Sequence, residues 1–390
     1  MKRTAQLFFV TCFLAFLFGV AALTLLMPKA WSSYYENRSL TQMPPLTAES
    51  FLSGDYFDSL ESYLTDHVPF RSYLLKLQTV LQLEVLRQPV VSDVLTDSDV
   101  LLGSHSYNDW DTAYLSSAAQ ECAAGIGQWA DAAAAGGGQL YYVGLPEQTA
   151  YFVDRYPDYW RDRQWLYGPT ETAMEEAFAR ADIPYLSFYE QFRAEGCPEA
   201  LYFASDHHYT VYGALAVCQE LLRTVNNRQG LSLHVPAEED LDFTTLPNPF
   251  LGSRNRKLFC LRPMGDMLTI AQYRQAVPFR RWDNGTEVAA ELFLLPETAE
   301  ESVSYTVFMG GDKGETVVDT GRPDLPSVLI IGESYTNAME TLLYASFDEM
   351  RSIDPRSYQG SITDYIALHQ PEVVIVLRDN TSYFTALSGG

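Results

Sequence analysis

Two continuous apolar segments constrain the fold of this chain more than any other feature. Residues 327–332 read Ser-Val-Leu-Ile-Ile-Gly, and residues 373–377 read Val-Val-Ile-Val-Leu. Neither run alternates apolar with polar residues, so both suit strands that are covered on both faces, as in a parallel sheet. Residues 139–145 form a third such run, and residues 183–187 form a fourth that Pro184 weakens.

Segments with helical periodicity lie between these strands. They cover residues 111–135, 170–181, 210–225, 336–345 and 362–369. Alternating strands and helices predict a three-layer α/β domain with a mostly parallel sheet. Residues 231–318 break the alternation with short, turn-rich segments, which we interpret as an antiparallel insertion. We interpret Asn284-Gly285 within it as a hairpin turn.

The N-terminus carries an uncharged stretch of 21 residues, 7–27, after Lys2 and Arg3. At about 1.5 Å per residue, a helix of this length matches a hydrocarbon core of about 30 Å. The preceding positive charges favour a cytoplasmic N-terminus, which puts the rest of the chain outside the cell membrane. The alternative is a cleaved signal peptide, whose apolar region is usually about 7–15 residues long, and the protein would then be secreted. We predict the uncleaved, single-pass anchor.

Length and charge restrict the remaining organisation. The 390 residues allow two or three domains, and one large α/β domain with appendages fits as well. We predict a cytoplasmic tip at 1–6, a transmembrane anchor at 7–27, a connector and helical stalk at 28–90, and the α/β domain with its insertion at 91–390. The chain has 26 Lys+Arg against 50 Asp+Glu, a net charge of −24, and such a chain repels phosphate backbones. We therefore expect no nucleic-acid partner.

Ser334 stands where an α/β fold exposes reactive side chains. It lies in Gly332-Glu333-Ser334-Tyr335, between the strand predicted at 327–332 and the helix predicted at 336–345. Residues at the carboxyl end of a parallel strand reach the rim of the sheet, where such folds bind ligands. The unpaired N–H groups of the following helix could stabilise an oxyanion. The alternative is that Ser334 only caps the helix, since the segment is not a Gly-x-Ser-x-Gly elbow.

A second reactive segment, Asp206-His207-His208, lies directly before the helix predicted at 210–225. A serine hydroxyl is a weak nucleophile until a base accepts its proton, and histidine suits that role near neutral pH. A carboxylate then holds the histidine in the right tautomer. Asp206 and His208 are two positions apart, so a tight loop could join them while His207 projects elsewhere. Two alternatives stay open: Asp206 caps the helix, or the three side chains ligate a metal.

These residues resemble the membrane-anchored DHHW family, whose Asp-His-His-Trp motif is matched here by Asp206-His207-His208-Tyr209. That family is related to the alginate O-acetylation proteins and, more distantly, to SGNH esterases of the GDSL type. In such proteins the Asp-x-His segment precedes the serine segment, as it does here. Further segments that resemble the family are Glu36-Asn37-Arg38-Ser39-Leu40, Asp66-His67-Val68-Pro69-Phe70-Arg71, Pro249-Phe250-Leu251-Gly252-Ser253, Tyr305-Thr306-Val307-Phe308-Met309-Gly310-Gly311 and Gly332-Glu333-Ser334-Tyr335.

The resemblance implies a role for each matched residue. Ser334 would be the nucleophile, His208 the base, and Asp206 the carboxylate that orients the base. No cofactor and no metal are expected for such a triad. The candidate contacts to the oxyanion or to the substrate are Asn380, Tyr209 and Tyr335, besides the Ser334 backbone N–H.

Three positions limit this transfer of roles. Tyr209 replaces the tryptophan of the family, which keeps an aromatic ring but changes its size. Glu333 replaces an aspartate that usually precedes the serine. Asn380 follows the last strand directly, so it is also interpreted as an ordinary turn residue.

These features predict an acyl-transfer enzyme outside the membrane. Ser334 would attack an ester, form an acyl-enzyme and pass the acyl group to a sugar hydroxyl or to water. The resemblance implies an acetyl group, delivered by a membrane acyltransferase, and a polysaccharide acceptor at the bacterial cell surface or in export. O-acetyltransferase and acetylesterase share this triad and differ in whether water reaches the acyl-enzyme. The alternative function is a non-catalytic polysaccharide-binding or assembly subunit on the same fold.

Overall fold

The structure is a computed structural model that describes residues 2–36, 38–104, 111–160 and 166–385. Asn37, which belongs to the first of the family-like segments, lies outside these residues. The chain forms two compact units. The N-terminal unit comprises Met1–Thr96 and Asn255–Arg262, and the C-terminal unit comprises Asp97–Arg254 and Pro263–Gly390. The domain boundaries given above stay predictions.

The N-terminal unit is mostly helical. Its elements are α1 (Lys2–Leu26), β1 (Ser32–Ser33), β2 (Arg38–Ser39), α2 (Ala48–Ser53), α3 (Asp55–Asp66), α4 (Arg71–Val80) with a π-helical continuation at Leu81–Val85, β3 (Val90–Val91) and β4 (Val94–Leu95). Within the described residues, α1 is the one helix long and apolar enough to cross a membrane, over Arg3–Leu26. Such a helix is compatible with a membrane anchor or with a signal sequence.

Two of the family-like segments meet in this unit through ion pairs. The Arg71 guanidinium binds both carboxylate oxygens of Glu36, and its Nη2 lies 2.9 Å from Glu36 Oε1. Arg38 also forms a bidentate ion pair, with Asp66, in which Arg38 Nη1 lies 3.0 Å from Asp66 Oδ2. The Thr41 backbone N–H donates to Asp66 Oδ2 at 2.9 Å. These bonds explain why both segments carry one acid and one arginine.

We expect Glu36→Gln to loosen α3 and α4 at neutral pH. The hydrogen bond from Arg71 lowers the pKa of Glu36 to about 2, although partial burial opposes this shift. A depressed pKa means that the ionised carboxylate stabilises the fold above about pH 4.5, and that this contribution is lost as the pH falls through about 2. Hydrogen exchange of α3 and α4 peptides should therefore be faster in the variant at pH 7, and the difference should shrink toward pH 3.

Glu84→Gln is the matched control for that measurement. The ion pair of Glu84 with Arg262 leaves the side chain of Glu84 58% exposed, and exposed pairs contribute little to stability. Equal exchange in Glu36→Gln and Glu84→Gln would show that the partly buried pair of Glu36 with Arg71 does not hold the two helices.

The C-terminal unit alternates strands and helices. Its elements are β5 (Leu102–Gly103), α5 (Thr112–Ala135), β6 (Gln139–Leu145), α6 (Gln148–Tyr151), α7 (Tyr167–Arg180), β7 (Tyr185–Ser187), α8 (Phe188–Ala194), α9 (Val211–Gln229), β8 (Leu241–Thr245), α10 (Ser253–Lys257, which runs into the N-terminal unit), β9 (Thr269–Tyr273), β10 (Arg280–Asp283), β11 (Thr286–Val288), β12 (Glu315–Asp319), β13 (Val328–Gly332), α11 (Thr336–Leu343), β14 (Glu349–Ile353), α12 (Ile362–His369) and β15 (Val373–Asp379).

The central sheet has the strand order β11-β10-β12-β14-β13-β15-β6-β7. The five strands from β14 to β7 run parallel, and β12, β10 and β11 extend them antiparallel. On one face, α5, α7 and α12 cover the sheet through Trp129, Phe178 and Ile366. On the other face, α9 and α11 pack together, and Cys218 Sγ lies 3.8 Å from the Met339 carbonyl oxygen. The predicted three-layer α/β fold with a mostly parallel sheet is confirmed.

The segment interpreted as an insertion, residues 231–318, contributes antiparallel strands. β8 and β9 pair with each other, while β10 and β12 join the edge of the central sheet. β10 and β11 form a hairpin across Asn284 and Gly285, whose φ angles are +49° and +76°. Two positive φ angles are typical of a type I′ turn, so the predicted hairpin is confirmed.

Candidate active site

Ser334 lies on the turn between β13 and α11, at the carboxyl end of the parallel strands. Gly332 closes β13 opposite Leu377 of β15. A Cβ at Gly332 would lie 2.7 Å from the Leu377 carbonyl oxygen and would also strike the Thr336 side chain. Only glycine therefore lets the chain turn this closely beside the neighbouring strand, and the turn raises Ser334 to the rim of the sheet.

Asp206 and His208 lie in the loop before α9. Thr210 caps this helix, because its Oγ1 accepts hydrogen bonds from the backbone N–H groups of Tyr212 and Gly213 at 3.2 and 3.4 Å. Asp206 does not cap α9, so one of the two alternatives for this residue is wrong. Its carboxylate is directed instead to His208 and to a second loop.

Asp206, His208 and Ser334 form a continuous series of hydrogen bonds. Asp206 Oδ1 lies 2.6 Å from His208 Nδ1, and His208 Nε2 lies 2.7 Å from Ser334 Oγ. An ionised carboxylate only accepts hydrogen bonds, so Nδ1 carries the hydrogen and Nε2 accepts from the serine hydroxyl. The backbone N–H of His208 also donates to Asp206 Oδ1, at 3.0 Å. This is the arrangement in which a histidine can take the serine proton.

The Asp206 carboxylate stays ionised in this setting. Burial acts to raise its pKa, but the attraction and hydrogen bond of His208, the attraction of His207 when that ring is protonated, and the Ser253 N–H outweigh that effect. The pKa of Asp206 is therefore held well below its usual range. Because the Ser253 N–H donates to Oδ2 at 2.6 Å, both carboxylate oxygens are occupied and their direction is fixed.

The His208 ring is held between two other rings. Tyr305 stacks on it at a centroid distance of 3.8 Å and an interplanar angle of 4°. His207 lies 3.7 Å from it at an angle of 38°. The prediction that His207 projects elsewhere is wrong, because the loop is bent and not extended, so adjacent side chains share one side of it. Neither stacking partner of His208 was identified from the sequence.

The Ser253 loop approaches the Asp206 loop so closely that Gly252 has no room for a side chain. A Cβ at Gly252 would overlap the carbonyl group and hydroxyl of Ser205. This contact brings the Ser253 N–H onto Asp206 and the Ser253 hydroxyl 2.6 Å from His207 Nδ1. The family-like segment at 249–253 thus serves to hold the acidic end of the triad.

We expect Gly252→Ala to destabilise the C-terminal unit by about 1–3 kcal/mol, as forced packing of an extra carbon usually does. It should also slow acylation of Ser334, because Asp206 loses its fixed direction. Thermal unfolding and the rate of serine labelling are the two measurements. Gly125→Ala is the control: it lies in α5, nothing lies within 4 Å of its Cβ, and alanine favours a helix. A Gly252→Ala protein as stable and reactive as this control would contradict the role of the close contact.

A buried ion pair lies behind these loops. Arg254 binds Glu147, and its Nε donates to the Gln148 side chain at 2.7 Å. Gln148 in turn donates to the carbonyl oxygens of Phe203 and Ala204, at 3.0 and 3.2 Å. The network joins the end of β6 to the loop that carries Asp206 and to the loop that carries Ser253. This network could not be predicted from the sequence, because Glu147 and Arg254 are far apart in the chain and share no local sequence pattern.

Asn380 continues the pairing of β15 with β6. Its backbone N–H donates to the Leu145 carbonyl at 2.9 Å, and its Oδ1 accepts from the Glu147 N–H at 2.9 Å. The side-chain carbonyl is thus used to tie two strand ends together. The role of Asn380 as an oxyanion donor stays a prediction. In its side chain only the amide nitrogen can donate a hydrogen bond to an oxyanion.

Tyr209 and Tyr335 connect the two reactive segments. The Tyr209 hydroxyl donates to the Tyr335 carbonyl, and the Tyr335 hydroxyl donates to the His207 carbonyl. Tyr209 is 0% exposed and Tyr335 is 3% exposed. Such burial argues against the predicted contact of Tyr209 with substrate. The two side chains instead hold the histidine segment and the serine segment side by side.

Glu333 brings a second charged group next to Ser334. Burial raises its pKa, and the nearby positive charges of Arg356 and Arg378 oppose that shift. Arg356 lies 3.6 Å and Arg378 lies 3.5 Å from its carboxylate oxygens. The glutamate that replaces the family's aspartate is therefore anchored away from Ser334 by two arginines.

Asp206, His207 and His208 could alternatively hold a metal, since one ligand atom of each lies within 4.8 Å of the others. The hydrogen bonds argue against this use. Both Nδ1 atoms are engaged, one with Asp206 and one with Ser253, and both carboxylate oxygens accept hydrogen bonds. A metal would have to displace these bonds, so the arrangement favours proton transfer.

No protein-family model and no curated protein sequence matches the chain. Solved structures do match. Bacillus cereus PatB1 has a TM-score of 0.64 at 19% identity, over 76% of this chain and 98% of that chain. A second structure of PatB1 holds a sulfonyl adduct and has a TM-score of 0.61 at 18% identity, over the same shares of the two chains.

A DHHW family protein from Eubacterium siraeum has a TM-score of 0.56 at 16% identity, over 77% of this chain and 94% of that chain. At such identities the likeness is one of fold, and it confirms the predicted fold and the predicted resemblance to the DHHW family. The O-acetyltransferase domain of Pseudomonas putida AlgJ is also among the matches, at 16% identity over 75% of this chain and 92% of that chain. Its TM-score of 0.44 is too low to carry an argument.

Proposed function

We propose that this chain is a membrane-anchored, extracytoplasmic acyl-transfer enzyme that works through Ser334, His208 and Asp206. Its substrates would be an acetyl donor and the hydroxyl groups of a cell-surface or exported polysaccharide. The observation that carries the proposal is the unbroken hydrogen-bond series from Asp206 through His208 to Ser334. The position of Ser334 at the carboxyl end of parallel strands supports it, since α/β folds bind ligands there.

The first half-reaction follows from this geometry. Ser334 Oγ attacks the acyl carbon of an ester while its proton moves to His208 Nε2. The negative charge of Asp206 stabilises the imidazolium that forms, and the stacked Tyr305 ring offers its negative face to the same charge. The leaving alcohol takes the proton from His208, and the acyl group stays on Ser334.

The developing oxyanion needs hydrogen-bond donors. The Ser334 backbone N–H and the amide nitrogen of Asn380 are the candidates that the sequence suggests. The N-terminus of α11 adds its positive dipole end beside Ser334. Removing one such donor typically costs about 100- to 1,000-fold in turnover, so Asn380→Ala is informative if its stability is measured in parallel.

The choice of acetyl and of polysaccharide rests on the resemblance to the DHHW family. The PatB1 structure with a sulfonyl adduct supports the same kind of chemistry, because sulfonyl groups become attached to activated nucleophiles. The anchor at 7–27 and the stalk at 28–90 would keep the catalytic domain near a membrane acyltransferase that delivers the acetyl group. Cleavage of the N-terminal helix would release a secreted enzyme with the same active site.

The proposal is tested with full-length protein in detergent and an activated acetyl ester. We expect mass spectrometry to find one acetyl group on the peptide that contains Ser334, and we expect transfer from it to an added oligosaccharide. A chelator should leave both unchanged, whereas loss of activity with chelator would indicate the metal alternative. Binding of the oligosaccharide without any acetylated Ser334 would favour the non-catalytic subunit.

A further inference from the structure

His207 has no role in the proposed triad, yet it lies against the triad's base. Its ring centroid is 3.7 Å from that of His208. The Nδ1 atoms of the two rings lie 3.5 and 2.6 Å from the same oxygen, Asp206 Oδ1. The two rings are tilted by 38° to each other, and His208 Nε2 binds Ser334. The His207 ring therefore lies directly beside the base that binds Ser334.

The hydrogen bonds of Ser253 decide which nitrogen of His207 carries the hydrogen. The His207 backbone N–H donates to Ser253 Oγ at 3.3 Å, and His207 Nδ1 lies 2.6 Å from the same atom. Ser253 is buried, and among the described residues Nδ1 is the one acceptor its hydroxyl reaches. The Ser253 hydroxyl therefore donates to Nδ1, and the hydrogen of the neutral ring is on Nε2.

The charge of His207 is settled by its surroundings. Partial burial lowers its pKa, and repulsion from His208 when that ring is protonated lowers it further, although Asp206 opposes these effects. The ring is consequently neutral at physiological pH. A neutral imidazole with hydrogen on Nε2 is a fixed hydrogen-bond donor that does not compete with His208 for protons. About one third of the side chain, 32%, is exposed, so a ligand can reach it.

We infer that His207 contacts the acyl acceptor and that the two imidazoles together select a hydroxyl group. This inference rests on the proposed function and deepens it. The hydroxyl donates its hydrogen to His208 Nε2, and its oxygen accepts a hydrogen bond from His207 Nε2–H. An oxygen nucleophile has a second lone pair for this contact. An amine does not, because its single lone pair is used in the attack. The active site would thus favour O-acylation over N-acylation of a sugar.

In the second half-reaction, the oxygen of the acceptor hydroxyl attacks the carbonyl carbon of acyl-Ser334 while the hydroxyl proton passes to His208. The bond between the carbonyl carbon and Ser334 Oγ then breaks, and Oγ takes the proton back from His208. The products are the new ester and free Ser334, and His207 keeps its own hydrogen throughout.

Two substitutions at position 207 distinguish the effect of the Nε2–H donor from the effect of the aromatic ring. His207→Phe keeps the stacked ring and removes the N–H, whereas His207→Gln offers an amide N–H close to the Nε2 position. The burst of p-nitrophenol from p-nitrophenyl acetate measures acylation of Ser334, which needs no acceptor. Transfer from the acyl-enzyme to a glycoside hydroxyl, compared with its amino-sugar counterpart, measures the second step. All proteins are full-length and in detergent.

We expect transfer to the hydroxyl to fall in His207→Phe on the order of 100-fold more than the burst rate falls, the scale of one lost transition-state hydrogen bond. His207→Gln should recover most of that loss. Unchanged transfer in His207→Phe would overturn the inference, and so would a burst that falls as much as the transfer, since His207 would then only position His208. A parent protein without any burst would instead refute the proposed function.

A measurement without substrate tests the tautomer directly. In protein labelled with ¹⁵N-histidine, the His207 signal is assigned by its absence from His207→Phe. We expect a neutral ring with hydrogen on Nε2 from pH 5 to pH 8. Hydrogen on Nδ1, or titration of this ring near pH 6.5, would overturn the inference even if the enzyme proved active.

Discussion

Replacing Ser334 with alanine should lower the rate of acyl transfer by about five to six orders of magnitude, as loss of a triad serine generally does. The reason is that His208 Nε2 lies 2.7 Å from Ser334 Oγ, and no other hydroxyl in the described part of the chain hydrogen-bonds this nitrogen. The backbone around Ser334 does not depend on its side chain, because Gly332 permits the turn and Ser334 does not cap α11. The melting temperature should therefore stay close to that of the parent.

The measurement is the burst and steady-state hydrolysis of an activated acetyl ester, together with mass spectrometry of the acetylated peptide. Ser117→Ala is the matched control, because Ser117 is an exposed serine in α5 and its loss should change neither activity nor stability. Retention of more than about a hundredth of the parent rate in Ser334→Ala would show that another residue is the nucleophile.

Asp206→Asn should reduce turnover by about four orders of magnitude, the usual effect of removing the charge that orients a triad histidine. An amide presents an N–H where the carboxylate presents only acceptors, and it meets the Nδ1–H of His208, the backbone N–H of His208 and the Ser253 N–H. One of these donors must lose its partner, or His208 must change its tautomer. If the tautomer changes, Nε2 no longer accepts the Ser334 proton; if it does not, the imidazolium that forms still lacks the negative charge that stabilises it.

Asp266→Asn is the control for this substitution. The Asp266 carboxylate accepts from the backbone N–H groups of Ala204 and Ser205, at 3.0 and 2.7 Å, so it supports the same loop without touching His208. We expect this variant to lose stability and to keep turnover within about tenfold of the parent. If the two variants lose stability alike and Asp206→Asn stays active, Asp206 is only a structural residue.

Much of the active site could be predicted from local patterns. The strand at 328–332 and the turn after it identify Ser334, since an uninterrupted apolar strand followed by a helix is visible in a few residues. Asp206 and His208 are two positions apart, which a tight loop can bridge. The bend of that loop could not be predicted, and for this reason His207 was expected to point away from His208.

The residues that support the triad were harder to find. Tyr305 and Ser253 stand 97 and 45 positions after His208, within segments whose local pattern is only that of turns. β14 was also missed, because its strand alternates charged and apolar residues and carries no continuous apolar run. Contacts of this kind depend on how loops pack against one another, and no periodic pattern of residues in the sequence indicates them.

Local sequence alone determined the alternation of strands and helices except for β14, the apolar N-terminal helix and the residue types able to carry acyl transfer. These properties follow from the periodicity of apolar side chains and from turn chemistry, which act over a few residues. The tertiary structure alone decided that groups 126 positions apart lie 2.7 Å from each other, and that a second imidazole contacts the ring of His208. Sheet packing and close backbone approach set such distances, because they depend on the whole chain being folded at once.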